Sequence, residues 1–260
     1  EGFDDNLDED EDGVADGCDV CPNDPANDID EDGLCCNSDN LYFDGLDDII
    51  IIDKDHSNFQ QFTKILYVKP NSNQEPDPEY NILFQTPNGN LKYSENQLRF
   101  IVTHDRNGGE DSSPSHSTIT YFDYSLAINQ WTQIAITVGS NNAADIKIYI
   151  NGEEIPQAYS ETDTGGMSNG RYTTIGAIQS DNWLEGDTYI YERVGFYRGF
   201  IDHVSFWDYV LSNDEISSGF NFADLGGDEN GLFSYYAFNS NLDILPDYTC
   251  ENPEENLDCA

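Results

Sequence analysis

Charge and cysteine are divided along this chain of 260 residues in a way that limits how each part can fold. Residues 1–40 hold 16 acidic side chains and no Lys or Arg, and residues 243–260 hold six more acidic side chains without a base. All ten Lys and Arg residues fall within 41–242, which contains none of the six cysteines. The middle must therefore fold by burying apolar side chains, whereas the two ends need another source of stability.

The overall charge excludes several classes of partner. The chain carries 51 Asp and Glu residues against ten Lys and Arg, a net charge of −41. Nucleic acid and anionic membrane surfaces repel such a chain, and it has no apolar run long enough for membrane insertion. An even number of cysteines indicates an oxidising compartment, so we expect a secreted, extracellular or cell-surface protein. Because an initiator Met and a signal peptide are absent, we expect the ends to derive from a longer precursor.

Two acidic motifs in residues 1–40 have the spacing of calcium-binding loops. In such loops alternate carboxylates converge on one ion, a glycine permits a sharp reversal of the chain, and a main-chain carbonyl completes the oxygen shell. The first motif supplies Asp8, Asp10, Asp12, the carbonyl of Val14, Asp16 and Asp19. The second supplies Asp28, Asp30, Asp32, the carbonyl of Leu34 and Asp39. An acidic run is commonly a solvated tail, but the repeated spacing predicts that this region binds Ca2+ as a cofactor.

The segment around these loops does not have the pattern of a helical EF-hand. Its flanks lack amphipathic periodicity, and Pro22 and Pro25 interrupt the stretch between the loops. With the dipeptide Cys21-Pro22 between them, the two motifs resemble the thrombospondin type 3 repeat over about residues 4–39. The resemblance implies that the chain wraps around calcium ions and that disulfides link successive turns, with the pairing left open. A zinc site at Cys18 and Cys21 is the alternative, but the surrounding carboxylates and the lack of a nearby His favour calcium.

Residues 41–242 have the pattern of short β-strands separated by turns. Ile146, Ile148 and Ile150 alternate with Lys147 and Tyr149 before an Asn-Gly turn at 151–152, and the same period recurs at 62–68, 98–102 and 134–138. Helical signals are scarce, the best being a capping box at 212–215. We therefore predict an all-β fold, a two-sheet antiparallel sandwich preceded by an irregular calcium-loop segment. Its predicted core includes Phe62, Trp131, Ile134, Ile136, Ile148, Phe206 and Trp207.

Several stretches of this middle region occur in the order found in one known family. They are residues 41–48, 62–70, 148–153, 175–176 and 199–207, with Trp131 before its strand. In this order they resemble laminin G-like, concanavalin A-like domains, although Tyr67 stands where that family often has Trp. The resemblance implies a jelly-roll sandwich over 41–242, and two long acidic or polar loops at 104–117 and 180–193 depart from the family's pattern. It also implies a secreted or surface protein that binds glycans or other proteins.

Two groups of residues in the sandwich are candidate binding sites. Relatives often tie the first strand to a late one through an ion, which makes Asp44 and Asp202 candidate calcium ligands beside Asp47 and Asp48. Turn formation is the alternative explanation of these aspartates. A glycan site is predicted in the 180–193 loop, because aromatic rings stack on sugars while short amides and carboxylates bond their hydroxyls. Its residues are Asp181, Asn182, Trp183, Tyr189 and Tyr191, unless these aromatic rings simply pack onto the sheet.

Other features favour a binding or structural role over catalysis. His104, Asp105, Arg106 and His116 lie in a Gly- and Ser-rich loop where such side chains are usually solvated. The two-glutamate strings of sandwich glucanases and the usual hydrolase and phosphate-loop motifs are absent from the sequence. We therefore expect a non-enzymatic, calcium-binding extracellular adhesion module. The alternative is a structural repeat of an extracellular filament or matrix, assembled with copies of itself through its termini, since Cys250 and Cys259 give residues 243–260 a second acidic cysteine segment.

Overall fold

A computed structural model describes most of the middle of the chain, and every structural statement below concerns the residues that it describes. These are 41–54, 61–71, 81–94, 96–104, 116–140, 142–163, 172–184, 188–218, 225, 227 and 229–238. The contacts within Tyr42–Ala237 make that region one compact unit. None of the helices in this part of the chain is long and apolar enough to cross a membrane.

The described residues form β-strands with very little helix, as the alternation predicts. The first eight strands are β1 (Leu41–Asp44), β2 (Ile50–Ile52), β3 (Phe62–Pro70), β4 (Asn81–Thr86), β5 (Gly89–Ser94), β6 (Gln97–His104), β7 (His116–Asp123) and β8 (Thr132–Val138). The next are β9 (Ile146–Ile150), β10 (Glu153–Ile155), β11 (Tyr159–Asp163), β12 (Thr173–Ile175), β13 (Ile178–Leu184), β14 (Thr188–Val194), β15 (Arg198–Trp207) and β16 (Leu232–Tyr236). A 3₁₀ turn spans Ala143–Asp145, and one α-helix, α1, spans Asn213–Ser218.

The strands assemble into two seven-stranded sheets and a separate hairpin. Sheet A has the order β1-β15-β3-β8-β9-β10, with β16 also paired to β15. Sheet B has the order β11-β7-β6-β5-β4-β12-β2, and β13 pairs with β14 alone. The strand pairs whose register is defined are antiparallel. The predicted two-sheet antiparallel sandwich is confirmed.

The core lies between the inner faces of the two sheets and is built from the alternating apolar residues. Phe84 of β4 contacts Phe206 of β15 across the sandwich, with ring centroids 6.4 Å apart in an edge-to-face arrangement. Phe100 packs against Phe84 within sheet B, with ring centroids 6.3 Å apart. Ile134, Ile136 and other residues at alternate positions are fully buried, as their spacing predicts.

A second apolar layer lies on the outer face of sheet A. There Leu211 and Ile216, from the segment that leads into α1 and from the helix itself, pack with five buried residues of the sheet: Ile65, Tyr67, Ala135, Tyr149 and Trp207. The helix begins where the capping box predicts, because the Ser212 backbone N–H donates to Glu215 Oε2 at 2.7 Å while Glu215 N donates to Ser212 Oγ at 3.3 Å. Sheet A is therefore packed on both of its faces.

The predicted hairpin turn at 151–152 is confirmed by its backbone angles. Asn151 has φ 50° and Gly152 has φ 83°, the left-handed pair that an Asn-Gly hairpin turn requires. A side chain at Gly152 would also bring its Cβ within 2.9 Å of Ser217 Cα, at the end of α1. The turn therefore joins β9 to β10, and its glycine allows the end of α1 to pack closely against it.

Two sequence predictions about this region are wrong. The stretch 180–193 is not a long loop, because β13 and β14 pair over seven residues each, from Ile178 opposite Val194 to Leu184 opposite Thr188. Trp131 is only partly buried, at the margin of the outer apolar layer of sheet A, whereas Trp207 is 1% exposed as predicted. Trp131 precedes β8 rather than lying within it, so the alternation of that strand does not carry its ring into the core.

Candidate functional site

The calcium ligands predicted in residues 1–40 lie outside the described residues. This applies to Asp8, Asp10, Asp12, Val14, Asp16 and Asp19 of the first motif and to Asp28, Asp30, Asp32, Leu34 and Asp39 of the second. The loop residues Asp105 and Arg106 lie outside them as well, whereas His104 and His116 are paired through their backbones at the ends of β6 and β7. The calcium-binding role of the first 40 residues stays a prediction.

Three aspartates at the end of β1 form an acidic cluster. Oxygen atoms from Asp44, Asp47 and Asp48 lie within 4.8 Å of one another, the one such group of three or more metal-ligating side chains in the described chain. The turn is held locally, because Asp44 N donates to Asp48 Oδ2 at 2.6 Å and Leu46 N donates to Asp44 Oδ1 at 2.7 Å. Three hard carboxylates, one exposed and two half-buried, fit the oxygen chemistry that calcium prefers. Both explanations of these aspartates, turn formation and metal binding, are compatible with this geometry.

Asp202 is not part of this acidic cluster and belongs to a buried polar network on the outer face of sheet A. Its Oδ1 accepts a hydrogen bond from His203 N at 2.6 Å, and its Oδ2 lies 3.6 Å from His203 Nε2. His203 Nδ1 bonds the Tyr235 hydroxyl, and Gln133 Nε2 donates to the Tyr67 hydroxyl at 2.7 Å. The structure therefore gives Asp202 a structural partner, and its predicted calcium role with Asp44 stays a prediction.

His203 takes an unusual backbone conformation within this network. Its φ is 47°, and it lies where the register between β15 and β3 shifts between Asp202 and Ser205. The extra residue of this bulge turns the imidazole onto the rings of Tyr235 and Tyr67. Burial lowers the pKa of His203 to about 4, in spite of the nearby carboxylate, so the ring is neutral at pH 7. No feature of the residue spacing indicates this bulge.

The predicted glycan-binding residues lie on the β13–β14 hairpin. Trp183 pairs with Tyr189 and Asp181 pairs with Tyr191, while Asn182 pairs with Ile190. The hairpin thus brings the five residues together along the backbone, but their side chains lie outside the described part of the structure. The proposed sugar contacts of this group remain predictions.

A set of polar and aromatic side chains that the sequence did not single out lies on the outer face of sheet B. Phe100 points into the core, so its neighbour Arg99 points outward, and the register places Tyr121 opposite Arg99 and Tyr159 opposite Tyr121. We call Arg99, Tyr121, Tyr159 and Glu161 the β11-edge cluster. Its members come from three strands that are adjacent in space but up to 62 positions apart in the sequence, which is why no local motif marks them.

The β11-edge cluster is tightly organised. The rings of Tyr121 and Tyr159 stack with centroids 4.1 Å apart and planes at 11°. Tyr121 donates its hydroxyl to Glu161 Oε1 at 2.6 Å, and the Arg99 guanidinium carbon lies 5.5 Å from the centre of the Tyr121 ring. Burial, together with the carboxylate of Glu161, raises the pKa of the Tyr121 phenol, so this hydroxyl remains a donor at all physiological pH values.

Exposure increases across the cluster towards the edge of the sheet. Arg99 is 9% exposed and Tyr121 is 6% exposed, whereas Tyr159 on the edge strand is 52% exposed and Glu161 is also exposed. The buried tyrosine and arginine therefore hold an exposed ring and an exposed carboxylate in fixed positions. A ring with an adjacent hydrogen-bond acceptor is the arrangement that contacts both the apolar face and the hydroxyl groups of a sugar.

The hairpin is tied to the same sheet at its other end. Gln85 of β4 donates through Nε2 to the Gln179 carbonyl of β13 at 3.5 Å, and Arg193 Nε of β14 donates to Gln179 Oε1 at 3.3 Å. Gln85 is 1% exposed, and its Oε1 accepts no hydrogen bond in the described structure. Sheet B thus carries the β11-edge cluster at one end and the predicted hairpin site towards the other.

Comparison with known proteins assigns the sandwich to a family. A family model described as the concanavalin A-like lectin/glucanases superfamily matches residues 43–217. The chain belongs to this superfamily. Among curated proteins, no sequence matches the chain. The predicted laminin G-like, concanavalin A-like identity of the sandwich is confirmed, whereas the thrombospondin type 3 resemblance of residues 1–40 stays a prediction.

Solved structures of other proteins superpose on this chain at low sequence identity. A candidate carbohydrate-binding protein from Bacteroides ovatus ATCC 8483 superposes with a TM-score of 0.52 at 15% identity, over 80% of this chain and 56% of that one. A heptameric pentraxin from Limulus polyphemus gives a TM-score of 0.41 at 15% identity, over 72% and 83% of the two chains. Domains LG4-5 of the mouse laminin α1 chain give 0.39 at 11% identity, over 75% and 45%. The chain therefore spans about half the length of the Bacteroides protein, and this likeness concerns the fold alone.

Proposed function

We propose that this chain is a non-enzymatic, calcium-binding extracellular adhesion module whose sandwich binds a glycan through the β11-edge cluster. The observation that carries the proposal is the stacked pair of Tyr121 and Tyr159 beside Glu161 and Arg99. The lectin/glucanase family of the sandwich and its likeness to a candidate carbohydrate-binding protein support the same class of ligand.

The cluster has the parts that a sugar-binding site needs. Tyr159 offers a half-exposed ring whose orientation is set by the stacked, buried Tyr121 beneath it, so little side-chain entropy is lost when a sugar ring packs on it. Glu161 keeps one carboxylate oxygen beyond the Tyr121 contact with which to accept a sugar hydroxyl. Because the ring and the carboxylate lie on an edge strand, a long glycan chain can reach them from the side.

The same geometry favours binding over hydrolysis. A glycosidase of the usual kind needs two carboxyl groups across the scissile bond, one of them protonated at working pH. The β11-edge cluster contains a single carboxylate, Glu161, which already accepts a hydrogen bond from Tyr121, so the cluster does not supply the second carboxyl group. We therefore assign it to hydroxyl recognition rather than to proton transfer.

Calcium and an extracellular location complete the proposal. The motifs of residues 1–40 and the cluster of Asp44, Asp47 and Asp48 supply oxygen ligands, and calcium binding would offset part of a net charge of −41. Each bound ion removes two negative charges, so calcium should also ease the approach of one copy of the chain to another. Assembly into a filament through the termini is the competing function, and it predicts calcium-dependent polymers rather than glycan-binding monomers.

A glycan array with the purified chain tests this function. The wild type, Tyr159→Ala and Trp183→Ala are compared in calcium and in chelator, with Tyr42→Ala as the control because Tyr42 is an exposed tyrosine of sheet A. We expect Tyr159→Ala to weaken glycan binding about tenfold, the loss of one aromatic contact, while Tyr42→Ala binds normally.

Other outcomes of the array select between the alternatives. Loss of binding in Trp183→Ala alone would move the site to the hairpin, and release of free sugar would indicate an enzyme. Calcium-dependent polymers without glycan binding, measured by sedimentation of the same samples, would favour the filament and overturn the lectin function.

A further inference from the structure

Lys64 occupies a position where the alternation of β3 calls for an apolar residue. Phe62, Leu66 and Val68 share its face of the strand and are buried in the core of the sandwich. Lys64 itself is 2% exposed, one of the largest side chains to be fully buried. Burial of a lysine costs stability unless its amine is hydrogen-bonded, and residues that break the local pattern of a fold are often functional.

Burial of the Lys64 amine among apolar side chains favours its neutral form. Its Nζ lies 4.4 Å from the centre of the Phe62 ring and 5.2 Å from that of Phe84, and among the described residues no carboxylate pairs with it. Burial lowers the pKa of Lys64 well below its ordinary value. A desolvated, unprotonated lysine is a nucleophile rather than a charge.

The polar contacts of this amine all lead to the turn between β4 and β5. Lys64 Nζ donates to Asn88 Oδ1 at 3.0 Å and to Thr86 Oγ1. Thr86 Oγ1 in turn lies 2.8 Å from Asn88 Oδ1 and 2.8 Å from the Gly89 carbonyl. The amine, the hydroxyl and the carboxamide thus form a closed triangle that joins sheet A to sheet B.

The turn that carries Asn88 has little freedom to move. Pro87 fixes one backbone angle before Asn88, and Gly89 follows at a place where a Cβ would come within 2.8 Å of the Ile101 carbonyl oxygen and 3.0 Å of Phe100 Cζ. The carboxamide is therefore held against the amine by the packing of the fold. Such fixed placement raises the effective concentration of a reacting group to on the order of 10⁵–10⁸ M.

We propose that Lys64 and Asn88 form a covalent amide cross-link between the two sheets of the folded sandwich. The neutral Nζ attacks Cγ of Asn88, and the new C–N bond replaces the bond from Cγ to Nδ2. The Thr86 hydroxyl, 2.8 Å from Asn88 Oδ1, polarises the carboxamide, and the proton that Nζ gives up is transferred to Nδ2, which leaves as ammonia. Nothing is oxidised or reduced, and no further reactant is consumed. The product links residues 24 positions apart and removes the cost of a buried amine.

The cross-link would give the sandwich a covalent brace in a region of the chain that has no cysteine. Residues 41–242 cannot form disulfides, yet an adhesion module bears force along its chain when its ligand is held. A bond between β3 and the β4–β5 turn would keep that end of the two sheets together under such force. It would also survive reducing conditions, unlike the disulfides expected in the two terminal segments.

Peptide mapping of the purified, reduced and alkylated chain tests the cross-link. We expect an intact mass lower than that of the sequence by one ammonia and a branched peptide that contains both Lys64 and Asn88. Lys64→Met and Asn88→Ala should each restore the sequence mass, apart from the substitution itself, and Thr86→Val should leave a large unreacted fraction. Lys92→Met is the control. Lys92 lies on β5, the strand of sheet B that follows the turn with Asn88, and its substitution should leave the cross-link intact.

One competing reaction gives the same change in mass. Asn88 precedes a glycine, and an Asn-Gly pair can lose ammonia by closing on its own backbone. That product leaves Lys64 in a linear peptide and persists in Lys64→Met. A linear Lys64 peptide in the wild-type chain, with or without loss of ammonia, would overturn the proposal, and this measurement does not depend on whether any variant folds.

Discussion

The outer faces of the two sheets are covered to different extents. Sheet A covers its outer face with its own chain, since Leu211 and Ile216 bring α1 down onto a buried apolar layer. Sheet B has a small apolar group there, Ile101, Ile119 and Tyr121, beside polar side chains and an edge strand that stays exposed. The difference indicates that the outside of sheet A serves stability and that the edge of sheet B is available for binding.

The largest effect is expected from removing the centre of the sheet A layer. Trp207 is 1% exposed, packs among the buried residues under α1 and donates its indole N–H to Ser205 Oγ at 3.0 Å. Trp207→Ala should therefore lower the free energy of unfolding by about 3–5 kcal/mol, measured by denaturant titration. Trp131→Ala, at the partly buried margin of the layer, is the matched control and should cost less. Equal losses in the two variants would show that the layer has no buried centre.

The second-largest effect is expected at low pH, where protonation of the unfolded chain at His203 should lower the free energy of unfolding. The pKa of His203 falls from about 6.5 in the unfolded chain to about 4 in the fold, so the unfolded chain takes up the proton first. The stability that this neutral histidine contributes is full above pH 6.5 and is lost as the pH falls towards 4, by about 3 kcal/mol.

A substitution at the same position separates this effect from the titration of the many carboxylates. His203→Asn is suited to the positive φ of 47°, which asparagine tolerates, and cannot take up a proton. The difference in unfolding free energy between wild type and His203→Asn should therefore change between pH 7 and pH 4. A constant difference over that range would mean that the imidazole is not buried in the neutral form.

The fold was predictable because its core follows a period of two, whereas the candidate site was not. Alternate residues such as Ile134 and Ile136 mark the strands, and Asn151-Gly152 and the box at Ser212 mark a turn and a helix start by local chemistry. Tyr121 and Tyr159 become neighbours only through strand register, which no local pattern records.

Three other features could not be predicted from the sequence because they depend on the fold. Lys64 breaks the alternation of β3 at a single position, and a lone lysine in a strand is usually exposed. The first strand of the β13–β14 hairpin is mostly polar, a composition that predicts a loop rather than a strand. His203 fills a bulge, and bulges interrupt the period on which the strand predictions depend.

A smaller effect should follow from loosening the helix that covers sheet A. Ser212→Ala removes the hydroxyl that accepts from Glu215 N and donates to Glu215 Oε2, which should cost about 1 kcal/mol of unfolding free energy. Ser217→Ala is the control, because its hydroxyl bonds the Asn213 carbonyl inside the helix and caps nothing. Thermal unfolding of both variants measures the difference. If both lose the same stability, the capping box does not hold the cover in place.

The smallest effect on stability is expected at the edge of sheet B, and it gives the sharpest test of the comparison. Tyr159→Ala removes a half-exposed ring from the surface of an edge strand, so the free energy of unfolding should fall by only about 0.5 kcal/mol, the low end for a stacked aromatic pair. The same variant should lose most of its glycan binding. A loss of stability as large as that of Trp207→Ala would show that the ring belongs to the core of the fold. The two outer faces would then both serve stability, and a binding role would have to be sought on the β13–β14 hairpin.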